Sequence, residues 1–180
     1  MHKLNYYFID KLDKHPIKNL SKNIAIIYRN YKQKYDEQDI LSMKKFCLAT
    51  NRKFYLANNF RLVEKLRLDG AYIPSFNKSI TVKRLKLQNF TLLGSAHNLK
   101  EIRIKEMQNV QLIMLSPVFK SKGPNNYMGL YRFNILKKLA KIPVIPLGGI
   151  NTKTLKLLNM FDNKGFAAIN FLKSIKKHDR

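Results

Sequence analysis

Cysteine occurs once, at Cys47, so the chain cannot form an internal disulfide, and a cytoplasmic location is expected. No apolar run approaches the roughly 20 residues of a membrane span, and the N-terminus lacks the apolar core of a signal peptide. No membrane contact is therefore expected. The early strands carry no G-x-G-x-x-G, which argues against an open, doubly wound dinucleotide-binding sheet. Acidic residues are scarce: 11 Asp and Glu face 35 Lys and Arg, a formal net charge of +24. That imbalance suits either a nucleic-acid binder or a protein handling highly phosphorylated ligands. Yet the lysines run along the whole chain beside abundant Asn and Ile, as an A- and T-biased coding sequence would produce. They cluster only in pairs (Lys44-Lys45, Lys137-Lys138, Lys176-Lys177) where exposed helix faces belong. Most of the charge is assigned to composition, and with no motif that reads RNA or DNA, nucleic acid is not an expected partner.

What is present is a folded-protein composition, 45% hydrophobic and 11% aromatic over 180 residues, enough for a single domain spanning 1–180. The chain is organised around Pro143-Val144-Ile145-Pro146-Leu147-Gly148-Gly149-Ile150. An apolar strand there meets a glycine pair, then Asn151-Thr152 and an amphipathic run. Glycines at such a junction let backbone N–H groups approach an anion beside a helix N-terminus. The same pair can also serve only as a tight strand-to-helix turn. A second, similar unit around Gly165 favours the anion reading.

Strands are predicted at Tyr6–Ile9, Asn23–Tyr28, Lys53–Ala57, Ala71–Ile73, Phe90–Gly94, Leu112–Leu115, the stretch after Pro143, and Gly165–Asn170. Between them lie a short segment around Pro16 and a helix over Asp36–Ala49 with Ile40, Met43, Cys47 and Leu48 on its apolar face. A third helix carries Leu62, Val63 and Leu66 and is closed by Gly70. A weaker one holds Val82 and Leu85. Another runs through Met107, opened by an Asn98/Glu101 capping box. The last two are marked by Leu136 and Leu139, and by Leu155, Leu158 and Met160. The irregular stretch from Ser116 to Gly129 is long enough to be functional or mobile. A basic segment, Leu172 to Arg180, ends the chain. Eight strands alternating with helices and loops predict a compact α/β (βα)8 barrel, a TIM barrel, with its chemistry after the strands and phosphate binding after strands seven and eight.

Five segments, taken together, resemble the thiamine phosphate synthase family, which also includes a thiazole tautomerase. They are Gly70-Ala71-Tyr72-Ile73, Gly94-Ser95-Ala96-His97-Asn98, Ser116-Pro117-Val118-Phe119, the Pro143–Ile150 stretch and Gly165-Phe166-Ala167. The resemblance implies a transferase of thiamine biosynthesis. It would couple the diphosphate of hydroxymethylpyrimidine to a thiazole phosphate and release pyrophosphate, with Mg2+ as the expected cofactor. Its partners would be these two small phosphorylated substrates.

Carried over residue by residue, the resemblance places Arg29, Tyr31 and Lys32 at the end of strand two on the pyrimidine diphosphate side. Asn58, Ser95, Ser121, Lys120 and Lys122 join them. Gly148, Gly149, Ile169 and Asn170 fit the thiazole phosphate site. The two magnesium positions are Asn59 and Asn77, where the family has carboxylates; neutral amides are much poorer magnesium ligands. Ile27 and Tyr31 replace a family glutamine and lysine, and Pro124 stands where a further lysine belongs; Lys120 and Lys122 are the nearby cations. Pro117 occupies the position of the tautomerase histidine, which ranks that activity below the synthase. His97 reads as a capping or satisfied histidine rather than a general base. The alternative to an enzyme is a degenerate barrel that binds a phosphorylated pyrimidine or thiazole without turnover. On oligomeric state the sequence is silent.

Overall fold

The computed structural model describes residues 4–32, 34–81, 90–121, 126–160 and 165–169. The helix expected around Val82 and Leu85, the site candidates Lys122 and Asn170, and the basic segment Leu172 to Arg180 lie outside the described residues.

Strands and helices alternate as β1 (Asn5–Ile9), α1 (His15–Lys18), β2 (Ile24–Tyr28), α2 (Glu37–Ala49), β3 (Phe54–Ala57), α3 (Phe60–Lys65) and β4 (Gly70–Ile73). They continue as β5 (Thr91–Ala96), α4 (Leu99–Met107), β6 (Leu112–Leu115), α5 (Gly129–Leu139), β7 (Val144–Pro146), α6 (Thr152–Asn159) and β8 (Ala167–Ala168). All pairings are parallel in the order β7-β6-β5-β4-β3-β2-β1-β8. Among the described residues one parallel bridge, Leu147 to Ala167, joins the two edges, so the sheet is a nearly closed barrel.

Side chains alternate across each strand, and this splits the apolar residues into two clusters. Tyr6, Phe8, Ala25, Ile27, Tyr55, Tyr72, Leu93, Met114 and Ile145 fill the barrel. Tyr7, Ile26, Phe54 and Ile113 face the other way, onto Ile40, Met43, Val63, Ile102, Phe133 and Leu158 of the helices. Aromatic rings plug the interior: Phe8 meets Tyr72 edge-on at 5.0 Å and Tyr6 meets Tyr55 at 6.0 Å. Burial pushes the Tyr6 hydroxyl up to about 12, so these phenols stay neutral.

Several boundaries differ from the sequence expectation. Strand β5 runs two residues past Gly94, because Ser95 and Ala96 pair with Met114 and Leu115. Gly70 does not close a helix; α3 ends at Lys65 with Leu66 as its C-cap, and Gly70 opens β4 opposite Thr91. A Cβ at Gly70 would lie 1.9 Å from the Thr91 carbonyl oxygen, so the glycine is required by close strand approach. Gly70→Ala is expected to destabilise the fold by about 3 kcal/mol, measured by denaturant unfolding. Strand β8 is shorter than expected, Ala167–Ala168.

Leu48, Leu139 and Met160 are 76%, 46% and 78% exposed rather than core. A barrel helix meets the sheet along one narrow stripe, already filled by Cys47, Leu136 and Leu158. The expected capping box of α4 is half formed. Asn98 accepts from the Glu101 N–H, but the Glu101 carboxylate accepts from the His97 N–H instead. The reciprocal box forms at α6, between Asn151 and Thr154.

Candidate functional site

The C-terminal ends of the strands converge on two adjoining groups of residues. The first lies over β1 to β5. Arg29, one residue past β2, donates its backbone N–H to the Ile9 carbonyl at 2.8 Å. Its guanidinium sits 4.9 Å over the Phe8 ring. Together with Asp10 and Ile169 it lines a cavity of about 180 Å³. Beside it, buried Tyr72 donates to the Oγ of Ser95 at 2.8 Å, and Ser95 is itself only 4% exposed. Ser95 is thus an interior strand residue and not part of a loop. Burial raises the Tyr72 hydroxyl, so it acts as a neutral donor.

Asn58 and Asn77 meet directly, Asn77 Nδ2 donating to Asn58 Oδ1. Asn58 holds φ 55°, the left-handed region that asparagine tolerates. Next to them Tyr31 and Phe76, 50% and 61% exposed, pack edge-to-face at 5.3 Å. Burial is also what raises the Tyr31 hydroxyl most, with Tyr72 adding to it. Lys32 is exposed, with its backbone N–H on Asn30 Oδ1.

The second group lies over β6 and β7. Gly148 and Gly149 hold φ 91° and 68°, values that L side chains rarely adopt. The Val118 and Phe119 N–H groups donate to the Leu147 and Gly148 carbonyls, laying the 118–121 segment on the glycine pair. This brings Lys120 and Ser121, both exposed, to the turn. Among the described residues, no acceptor meets the N–H groups of Gly149 or Ile150. Asn151 then caps α6, whose N-terminal dipole adds partial positive charge at the same turn.

His97, Ser116, Ser121 and Arg132 line an open groove of about 430 Å³ beside this turn. His97 is a bridge: Nδ1 donates to the Ser116 carbonyl at 2.6 Å, which leaves Nε2 to accept from Ser75 Oγ at 3.0 Å. Both ring nitrogens are engaged, in line with a satisfied histidine.

The magnesium positions do not fit the ion. Asn59 caps α3, its Oδ1 accepting from the Leu62 N–H at 3.1 Å. The Oδ1 of Asn77 accepts from the Ser79 N–H at 3.0 Å. The amide oxygens, the only metal-binding atoms of these side chains, carry no charge, and each already accepts one backbone N–H, which makes both weak ligands for Mg2+. Among the described residues no three His, Cys, Asp or Glu side chains converge as a metal site.

Sequence reasoning passed over Arg132, Asp10, Phe76 and Tyr72 as site residues. Arg132 enters because α5 begins at Gly129, placing it in the first turn over the groove. Only the start of the helix after the long loop signalled it.

The family described as thiamine monophosphate synthase matches residues 20–172. "Putative thiamine-phosphate synthase 2" of Aquifex aeolicus is 28% identical over 171 residues, covering 91% of this chain and 88% of that one. A thiamine-phosphate synthase of Methanococcus vannielii is 22% identical over 130 residues, 71% of this chain and 63% of its own length. In solved structures, thiamine phosphate pyrophosphorylase from Pyrococcus furiosus shares the fold, with TM-score 0.74 at 17% identity, covering 93% of this chain and 85% of that one. No helix among the described residues is long and apolar enough to cross a membrane. With the match extending over most of its length, the chain belongs to the thiamine monophosphate synthase family.

Proposed function

We propose that the chain is a cytoplasmic synthase, one domain over 1–180, that joins a pyrimidinylmethyl diphosphate to a thiazole phosphate. The observation that carries the reading is the Gly148-Gly149 turn. The N–H groups of Gly149 and Ile150 are unmet among the described residues, the turn opens α6, and it stands at the same end of the barrel strands as Arg29. Such a turn binds a phosphate through backbone alone, and it holds one ring substrate by its phosphate. Gly148 and Gly149 serve here, with Ile169 and Asn170 as further contacts to this ligand.

In the coupling step the CH2–O bond to the diphosphate breaks and its electron pair leaves with the diphosphate oxygen. The thiazole nitrogen then donates its lone pair to the resulting pyrimidinylmethyl cation. The protein need move no proton; it must stabilise charge on the leaving group and hold two rings close. Arg29, Lys32, Lys120 and Lys122, with Ser121, provide that charge and hydrogen bonding. Asn58 and Ser95 orient the pyrimidine, and Tyr31 with Phe76 offers an aromatic face to a planar ring. Arg132 adds a cation at the groove. Asn59 and Asn77 are assigned no metal, and no step is routed through one.

A second reading, a barrel that binds these ligands without turnover, is favoured by the two neutral amides at these positions. A coupled assay for thiamine phosphate from both substrates, with magnesium and with a chelator, separates the readings. Chelator-resistant turnover is the expected result and assigns leaving-group stabilisation to the cations. Magnesium-dependent turnover keeps the synthase but overturns the metal-free assignment. No product, with thiazole phosphate still bound in calorimetry, leaves the non-catalytic reading standing.

A further inference from the structure

Lys105 is fully buried on α4 and lines neither of the two cavities at the site. Removing an ammonium from water is costly, and a chain that only needed packing there would be better served by an apolar side chain. Its three N–H donors are matched by three acceptors: the Pro74 carbonyl at 2.8 Å, the Asn77 carbonyl at 2.8 Å and Gln108 Oε1 at 2.9 Å. Two of these belong to one turn. Gln108, one turn further along α4, adds Nε2 bonds to the Asn77 carbonyl at 3.0 Å and the Ser79 carbonyl at 2.9 Å. The stem of Lys105 reaches the turn across Gly94, where an added Cβ would stand 2.9 Å from Lys105 Cδ.

The gripped turn is the one that furnishes the site. Ser75 reaches His97, Phe76 packs on Tyr31, and Asn77 donates to Asn58. Three consecutive side chains thus project onto three other strand ends, while their backbone is held from behind by α4. An exposed turn of this kind would otherwise sample many conformations, and ordering it in advance lowers the cost of binding.

We propose that Lys105, with Gln108, is a positioning residue that sets the Ser75–Asn77 turn so that Phe76 and Asn77 meet the ring of the pyrimidine ligand. The identity of that ligand rests on the proposed function; the clamp itself does not. Lys105→Met keeps the stem and removes the ammonium. The Asn77 N–H bonds the Pro74 carbonyl and the Ser79 N–H bonds Asn77 Oδ1, so hydrogen exchange at these two amides reports on the turn. In the variant both are expected to exchange at least about tenfold faster relative to the β6 and α5 amides. The KM for the pyrimidine diphosphate should rise about tenfold, with that for the thiazole phosphate within about twofold. Where no turnover is measurable, calorimetric Kd values for the two ligands take the place of KM.

Unchanged exchange at Asn77 and Ser79 overturns the proposal, as does an equal rise in both constants, which marks general loosening. If Lys105→Met does not fold, Gln108→Leu carries the same test with Lys105 in place, and a smaller change in the same direction is expected. A wild-type chain that binds neither ring sinks the proposed function, while the exchange measurement still decides the clamp.

Discussion

Gly149→Val is expected to weaken thiazole phosphate binding at least about 100-fold, read by calorimetry on protein whose fold is verified by circular dichroism. Two effects combine. At φ 68° an L side chain is strained by roughly 1–2 kcal/mol. The added Cβ would also stand 2.5 Å from the Phe119 carbonyl oxygen and 2.7 Å from that of Lys120. These are backbone atoms and cannot rotate aside, so the 118–121 segment must lift from the turn. Lifting it strains the Phe119 N–H to Gly148 carbonyl bond and re-aims the N–H groups on which the phosphate would rest. Gly129→Ala is the control: φ there is 72°, yet nothing lies within 4 Å of the added Cβ. It should lower stability by about 1 kcal/mol and leave binding within about threefold. Tight binding retained by Gly149→Val would remove the phosphate from this turn.

The barrel was legible because parallel strands buried on both faces read as apolar runs, as Ile24–Tyr28 and Leu112–Leu115 do. Strand ends were less so. Ser95 looks like the start of a loop, and only its partner Met114 on β6, distant in the chain, extends β5 through it. Gly70 carries a helix stop signal, but its role is set by the Thr91 carbonyl, which no local pattern contains. Leu48, beside Cys47, fits a wide apolar face; the stripe that touches the sheet is narrower than the periodicity allows.

Of the candidate site, the backbone geometry was legible at Gly148-Gly149, where both glycines hold positive φ. The site was less legible where a side chain has two possible employments. Asn59 occupies both a family position and the cap of α3, and the structure shows the cap. Lys105 was lost among the many lysines of a basic chain, since nothing in sequence distinguishes a buried ammonium from an exposed one. Its partners, the Pro74 and Asn77 carbonyls, lie 31 and 28 residues away.

Arg29→Met should lower turnover about 100- to 1,000-fold, the range for losing a pre-aimed charge that meets developing negative charge. The guanidinium is held before any ligand arrives, with its backbone tied to Ile9 and its plane over Phe8. It therefore needs little reordering as the diphosphate leaves. Negative charge on the bridging oxygen grows only as the C–O bond breaks, so the loss should fall mainly on kcat, with a smaller rise in KM for the diphosphate. Arg29→Lys keeps the charge but not the planar fork or the stacking on Phe8, and should recover activity only in part, roughly tenfold above Arg29→Met. Steady-state kinetics of the three proteins in chelator measures this. Because positions 59 and 77 carry neutral amides, no carboxylate-held metal there can mask the missing cation. Turnover within threefold of wild type for Arg29→Met would move leaving-group stabilisation off β2. The cations of the β6–α5 side, Lys120 and Arg132, would then have to carry it.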